Sequence, residues 1–163
     1  MTAIRLKYGK GELALDTGES VGNILLPMPS PPPLTDAEIN LLLDQSVDHP
    51  TIEEFTQTGG SVLIVVPDAT RMAGAGQLCN LLVRRLIASG IAPFDIRIIF
   101  ATGIHRAVTD AERSEILTPF IAQRIKTLDH RPSDLMSLMR VGETAGGIPV
   151  ELSRALFEHD HIF

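Results

Sequence analysis

The chain has 163 residues, of which 44% are hydrophobic and 21% charged, so it is long and apolar enough to form one domain with a buried core. Acidic residues outnumber basic ones by 20 to 14 and the formal net charge is −6, which argues against nucleic acid as a partner. One cysteine excludes an intrachain disulfide, and no apolar run approaches the roughly 18 residues of a membrane span. The first ten residues lack the apolar run of a signal peptide, so a cytoplasmic protein without membrane association is expected.

The amino-terminal residues alternate apolar and polar side chains. Ile4, Leu6 and Tyr8 alternate with basic residues, and Leu13 and Leu15 follow a Gly-Lys-Gly turn. A period of two interrupted by turn residues predicts a β-hairpin.

A proline-rich connector and a helix are predicted next. The segment 27–33 holds five of the 11 prolines, which lack amide donors and disfavour helical angles, so this segment is expected to be extended. Thr35 and Glu38 have the spacing of a capping box, and the apolar residues that follow at helical intervals predict a helix over 36–47.

The middle of the chain has the pattern of a β-α-β unit. Segments 61–67 and 95–101 are rich in β-branched residues, and the leucines between them recur at helical spacing until Gly90. Such crossovers join parallel strands, whose carboxyl ends then lie at one edge of the sheet. The predicted fold class is α/β, with a Rossmann-like, mainly parallel sheet flanked by helices and an amino-terminal β-hairpin.

The last third of the chain contains three further signals. Thr109 and Glu112 form a second capping box, which predicts a short helix that Pro119 interrupts. Two apolar segments flank a Gly-Gly turn within 139–150 and indicate a second hairpin, and 160–163 has the character of the first residues of a strand.

Two polar, glycine-bearing loops follow the predicted parallel strands, at the edge where α/β proteins bind ligands. The loop 68–76 carries Asp68 and Arg71, whose planar guanidinium suits a carboxylate or phosphate, and its small residues would let a ligand approach the backbone. The loop 102–106 carries His105, and imidazole is the side chain best suited to moving a proton near neutral pH.

Simpler interpretations of these residues remain open at this point. The loop glycines match neither a dinucleotide fingerprint nor a nucleoside-triphosphate loop. Asp68 could cap the following helix and pair with Arg71 at the surface, and His105 could make a single hydrogen bond near a helix start.

The other histidines and the cysteine are assigned no chemistry. His159 and His161 alternate as on one strand face, but two histidines do not complete a metal site, so no metal ligands are predicted. His49 and His130 lie beside turn-forming prolines, and Cys79 falls on the apolar side of a helix.

The two loops together resemble the amino-terminal domain of the nickel-dependent lactate racemase family. The resemblance rests on two motifs, Asp-Ala-Thr-Arg at 68–71 and Ala-Thr-Gly-Ile-His-Arg at 101–106, and it extends over almost the whole chain. This chain has Ala69, Met72 and Ala107 where the family commonly has histidine, proline and proline.

The resemblance implies a nickel pincer nucleotide as cofactor and a small 2-hydroxy acid as substrate. Hydride would leave the α-carbon while a histidine removes the hydroxyl proton, and its return to the other face would invert the centre. By this resemblance His105 is a catalytic acid/base group, Asp68, Ala69, Thr70 and Arg71 contact the cofactor, and Arg71 also orients the substrate carboxylate. The catalytic set implied here is His105, Arg71 and Asp68.

The resemblance also implies that half of the site lies elsewhere. In the family, a second catalytic histidine, the lysine that attaches the cofactor and a nickel-binding histidine all follow the position of Phe163. Residues 1–163 are therefore interpreted as the amino-terminal domain of a truncated or fragmentary racemase, inactive without its carboxy-terminal domain. Self-association into a homo-oligomer is left open.

Two other functions compete with this one. The same loops could hold a nucleotide or another anion in a non-catalytic α/β binding module. Alternatively, the chain could be a structural domain whose polar loops only cap helices.

Overall fold

The computed structural model describes residues 3–16, 18, 28–56, 60–71 and 73–163. The chain divides into two compact units, Met1–Pro33 and Leu34–Phe163. In the first unit, strands β1 (Ala3–Tyr8) and β2 (Gly11–Asp16) form the predicted antiparallel hairpin. Residues 28–33 form neither helix nor strand, while Pro27 of the predicted connector lies outside the described residues.

The second unit is built on a four-stranded parallel sheet. Its strands are β3 (Val62–Pro67), β4 (Ile96–Ala101), β5 (Lys126–Asp129) and β8 (His161–Ile162). Their order in the sheet is β5-β4-β3-β8. Helix α3 (Ala75–Ala88) connects β3 to β4, as the β-α-β pattern predicts. The α/β fold class and the parallel pairing of these strands are thus confirmed.

Helices cover one face of this sheet. Alternate residues of β3, namely Val62, Ile64 and Val66, face the main core together with Leu82 and Leu86 of α3. Helix α5 (Pro119–Arg124) contributes Ile121 to the same cluster. The opposite face carries a smaller cluster that consists of Leu63, Ile99 and Ala155.

The first helix is shorter than predicted. Helix α1 (Asp36–Leu43) begins with the predicted Thr35–Glu38 capping box but ends four residues before Val47. Val47, the last residue of the predicted helix, is 85% exposed, and Asp48 after it adopts a left-handed φ of 52°. The helical spacing of apolar residues therefore continues past Leu43, although the residues beyond this point have no core to pack against.

Two elements are absent from the sequence prediction. Helix α2 (Ile52–Phe55) is a single turn that its own capping box between Thr51 and Glu54 stabilises. Strand β5 has four residues and pairs with β4 at the edge of the sheet.

The carboxy-terminal third follows the predicted pattern. Helix α4 (Asp110–Ile116) begins at the Thr109–Glu112 capping box, and α5 follows after a break at Leu117 and Thr118. Strands β6 (Leu138–Glu143) and β7 (Pro149–Ser153) form the second hairpin. Among the described residues, no helix combines the length and apolarity that crossing a membrane requires.

Candidate functional site

Strand register brings the two predicted loops together. Pro67 at the end of β3 is paired with Ala101 at the end of β4, so Asp68 and Thr102 leave the sheet side by side. Phe100 of β4 is paired with Asp129, the last residue of β5. Three loops therefore begin at one edge of the sheet, the edge at which open α/β folds bind ligands.

Asp68 and His105 form a direct pair at this edge. The Asp68 Oδ2 atom lies 2.6 Å from His105 Nδ1, and the Asp68 side chain is 7% exposed whereas that of His105 is 50% exposed. Gly103, with a φ of 56°, allows the tight turn in which the His105 amide donates to the Thr102 carbonyl at 3.0 Å. The turn presents the imidazole to solvent while its inner nitrogen contacts a buried carboxylate.

The Asp68 carboxylate is held in its ionised form. Its Oδ1 atom accepts hydrogen bonds from the Thr70 hydroxyl at 2.6 Å and the Thr70 amide at 3.1 Å. The Thr70 hydroxyl, followed by His105, lowers the pKa of the Asp68 carboxyl to about 2. An ionised carboxylate only accepts hydrogen bonds, so Nδ1 must carry the proton in the neutral imidazole. The exposed Nε2 then has a free lone pair, because no side chain or backbone group among the described residues is bonded to it.

This arrangement differs from the simpler interpretation of Asp68. Helix α3 is capped by Gly74, not by Asp68. Within the described part of the chain, Arg71 makes no ion pair, and its contact with Asp68 is a backbone hydrogen bond from the Arg71 amide at 3.1 Å. Asp68 instead contacts the histidine of the neighbouring loop.

The structure places Arg71 in a different cavity from His105. Arg71 is exposed and lines a cavity of about 760 Å³ at the start of α3, together with Ala69, Gly74 and Gln77. His105 lines a second cavity, of about 630 Å³. Met72, which follows Arg71 in this loop, lies outside the described residues.

Two residues of the second cavity were not predicted from the sequence. His130 and Arg131 follow β5 directly and line this cavity with His105 and Arg106. The other two loops were identified as polar residues that follow a predicted strand, and the same pattern would have identified His130 and Arg131. It was missed because β5 itself was not predicted, since its four residues follow an apolar helical segment without a turn.

The end of β5 also anchors both ends of the loop that carries His105. At the beginning of the loop, the Thr102 hydroxyl donates to the His130 carbonyl at 2.6 Å. At its end, the Val108 amide donates to Asp129 Oδ1 at 3.3 Å, and Asp129 Oδ2 is paired with Arg113 of α4. The Asp129 side chain is 7% exposed, so this buried carboxylate links β5, the loop and α4.

Arg106 is occupied by an acidic partner. Its two terminal nitrogens donate to the two carboxylate oxygens of Glu112 at 2.8 and 2.6 Å. This bidentate pair, together with the Thr109 amide and hydroxyl, lowers the pKa of Glu112 to about 2. The Arg106 charge is therefore largely compensated.

The remaining histidines have structural partners. His159 Nδ1 lies 2.7 Å from the Ala155 carbonyl, and His49 and His161 pack edge-on against Phe55. Cys79 is buried in the main core, and burial raises the pKa of its thiol to about 12. No cluster of three or more metal-ligating side chains occurs among the residues that the structure describes.

The fold and the edge site define an α/β domain in which a half-exposed histidine contacts a buried carboxylate where two parallel strands end. Residues 8–163 match the family described as the lactate racemase N-terminal domain. The chain belongs to this family.

Individual relatives agree with the family assignment. The chain is 27% identical over 119 residues to the lactate racemase of Lactiplantibacillus plantarum, a match that covers 72% of this chain and 28% of that protein. The lactate racemase apoprotein of Thermoanaerobacterium thermosaccharolyticum has the same fold, with a TM-score of 0.77 and 21% identity over 99% of this chain and 38% of that one. A Thermotoga maritima protein of known crystal structure matches with a TM-score of 0.67 and 26% identity, covering 80% of this chain and 33% of its own. The chain thus spans about a third of the length of the relatives it matches.

Proposed function

We propose that the chain is the amino-terminal, substrate- and cofactor-binding part of a 2-hydroxyacid racemase or epimerase that uses a nickel pincer nucleotide. The observation that carries this proposal is the Asp68–His105 pair, with its buried carboxylate and half-exposed imidazole. Membership of the lactate racemase N-terminal domain family supports it. The substrate is a small 2-hydroxy acid, and the partner is the carboxy-terminal part of the same enzyme.

His105 acts in this proposal as the group that moves the substrate's hydroxyl proton. With Asp68 holding the Nδ1 proton, Nε2 accepts the hydroxyl proton as the alcohol becomes a ketone. The ionised Asp68 stabilises the imidazolium that results, and in the reverse direction this imidazolium gives its proton to the oxygen of the keto acid. Accepting and returning a hydride is the chemistry that the nickel pincer nucleotide supplies when bound.

Two features at the start of α3 suit the phosphate end of a mononucleotide, in a cavity that is also lined by Asp36, Glu112 and Glu115. Helix α3 has 14 residues and no side-chain cap at Gly74, so its first amides are available to an anion. The Arg71 guanidinium lines the same cavity without an ion pair among the described residues. Asp68, Ala69, Thr70 and Arg71 are the residues proposed to contact the cofactor.

The chain is proposed to be inactive by itself. Racemisation requires a proton-moving group on each side of a planar keto acid. The described loops bring one such group, His105 with its partner Asp68, to the sheet edge.

The test is a racemisation assay with several 2-hydroxy acids on the full-length, cofactor-loaded protein. His105→Gln should lower kcat by about 10²–10⁴-fold, since the proton then has no acceptor. The matched control is His159→Gln, because His159 bonds a backbone carbonyl away from this pair. Undiminished turnover by His105→Gln would contradict the role of His105, and turnover by the isolated 163-residue chain would contradict its inactivity.

A non-catalytic nucleotide-binding module remains the second candidate, and the uncapped start of α3 beside Arg71 favours it. Calorimetry distinguishes the two functions. A binding module takes up a plain mononucleotide without nickel or a 2-hydroxy acid, and its full-length form shows no racemisation.

A further inference from the structure

The Asp68 carboxylate is shared between two partners, one on each oxygen. Its Oδ2 atom lies 2.6 Å from His105 Nδ1, and its Oδ1 atom accepts from the Thr70 hydroxyl at 2.6 Å and the Thr70 amide at 3.1 Å. The terminal torsion of an aspartate is broad by itself, so an unbonded carboxylate has no single orientation. Because the carboxylate is planar, the two bonds that hold Oδ1 also set the direction in which Oδ2 points.

The Thr70 hydroxyl is not needed to form the turn in which it lies. Elsewhere in the chain, the Asp134 carboxylate accepts from the amide of Met136, two residues later, at 3.1 Å. Methionine has no hydroxyl, so the backbone amide alone makes a turn of this spacing. The hydroxyl bond from Thr70 is therefore an addition to the turn, and it acts on the Asp68 carboxylate.

Both hydrogen-bond donors of Thr70 are used by this carboxylate. A threonine has only its amide and its hydroxyl to donate, and each is bonded to Asp68 Oδ1. Thr70 is an exposed residue, whereas the Asp68 side chain is 7% exposed, so the hydroxyl is directed inward from the surface. Contact between Thr70 and an anionic cofactor is then left to atoms that donate no hydrogen bond.

We infer that Thr70 is a positioning residue whose hydroxyl orients the Asp68 carboxylate so that the His105 proton stays on Nδ1. The inference rests on the proposed function for the role of His105, and it names the residue that acts on His105 through Asp68. Without the hydroxyl, a single amide bond holds Oδ1 and the carboxylate torsion widens. The bond to Nδ1 is then lost in part of the molecules, and the imidazole proton moves to Nε2, the atom that has to accept the substrate's proton.

The test is the tautomer of His105 in the ¹⁵N-labelled chain. Thr70→Val removes the hydroxyl at nearly constant volume, and the exposure of Thr70 means that the fold should be retained. In long-range ¹H–¹⁵N spectra, at a pH where imidazoles are neutral, the ratio of the Nδ1–H to the Nε2–H form should fall about tenfold, the effect of one hydrogen bond. Thr70→Ser keeps the hydroxyl and should restore the wild-type ratio. The pKa of Asp68, followed by its carboxyl ¹³C shift, should rise from about 2 toward its ordinary value in Thr70→Val and stay low in Thr70→Ser.

Thr144→Val is the matched control. Thr144 is also exposed, and its hydroxyl oxygen accepts from the Ile148 amide at 3.1 Å in the turn between β6 and β7. This substitution should leave the His105 tautomer unchanged. The inference would be overturned by a wild-type proton on Nε2, an unchanged ratio in Thr70→Val, no recovery in Thr70→Ser, or an equal fall in Thr144→Val.

Kinetics of the full-length, cofactor-loaded enzyme distinguish positioning from substrate binding. A residue that acts through His105 lowers kcat, here by about tenfold in Thr70→Val, and leaves the KM for the 2-hydroxy acid nearly unchanged. Thr70→Ser should recover kcat, and a raised KM at unchanged kcat in Thr70→Val would contradict the inference. If the loaded enzyme racemises no 2-hydroxy acid while Thr70→Val still shifts the tautomer ratio, the proposed function fails and the positioning of His105 by Thr70 stands.

Discussion

At the scale of single residues, the Asp68–His105 contact fixes which imidazole nitrogen carries the proton. The sequence predicts that these two residues lie on loops that start at adjacent strand ends, and the strand register confirms that the strand ends are adjacent. The contact itself was not predictable, because it depends on the left-handed φ of Gly103 and on the burial of the Asp68 carboxylate. Loop backbone angles of this kind leave no periodic signal in a sequence.

Asp68→Asn should change the tautomer of His105. In the wild-type chain, at a pH where imidazoles are neutral, long-range ¹H–¹⁵N spectra should show the His105 proton on Nδ1, since an ionised carboxylate can only accept. The asparagine amide can donate to Nδ1 instead, which allows the proton to move to Nε2 and removes the acceptor that faces the cavity. In the full-length enzyme, the same substitution should lower kcat by up to about 10⁴-fold.

Asp134→Asn is a suitable control for this experiment. Asp134 accepts a hydrogen bond at 3.1 Å from the amide two residues later, as Asp68 does, but it has no histidine partner among the described contacts. The control should leave the His105 nitrogen shifts in place. A wild-type spectrum with the proton on Nε2 would show that the proposed base is oriented the wrong way for catalysis.

At the scale of elements, hydrophobic periodicity correctly predicted the helices and strands that are long enough to show a repeating pattern. The hairpin of β1 and β2, the β3-α3-β4 crossover and the capped start of α4 are all confirmed. Strand β5 has four residues and follows α5 almost directly, so alternation had no length over which to appear. Because β5 was not predicted, Asp129 was missed as well, since its contacts with the loop and with α4 follow from its position at the end of that strand.

Asp129→Asn should loosen the loop that carries His105. Asp129 joins the Val108 amide to Arg113, so a neutral asparagine loses a charge-assisted hydrogen bond and the free energy of unfolding should fall by about 1.5–3 kcal/mol. Amide exchange at His105 and Val108 should accelerate more than exchange in β4. Chemical denaturation and hydrogen-exchange NMR measure the two effects separately.

The control is Asp110→Asn, which neutralises the other carboxylate near Arg113, one that lies at the surface. Asp110 lies 3.9 Å from Arg113, and its side chain is fully exposed, so the pair adds little stability. Exchange at His105 should remain as in the wild type. Equal acceleration in both variants would mean that Arg113, not the bond from Asp129 to the loop, holds the segment in place.

At the scale of the whole molecule, the two faces of the parallel sheet are covered unequally. Val66 is 4% exposed and belongs to the main core under the helices, while its neighbour Val65 is 39% exposed on the other face. Val65 lines an apolar cavity of about 300 Å³ with Ile99, Leu152 and Leu156. Parallel sheets are ordinarily buried on both faces, and a strand of β-branched residues such as β3 predicts such burial for Val65 as well as Val66. The sequence pattern therefore overstates how completely this strand is enclosed.

This asymmetry predicts opposite outcomes for two neighbouring valines in one strand. Val66→Thr places a hydroxyl in the helix-covered core, where nothing compensates its lost hydration, so the free energy of unfolding should fall by about 1–3 kcal/mol. Val65→Thr places the same hydroxyl where water reaches it, and the change should stay within about 0.5 kcal/mol. Urea denaturation of the two variants makes the comparison, and each serves as the other's control because volume and strand propensity change equally. Equal losses would mean that the second face excludes water as thoroughly as the first, and the accessible cavity beside Val65 would then have to be closed in solution.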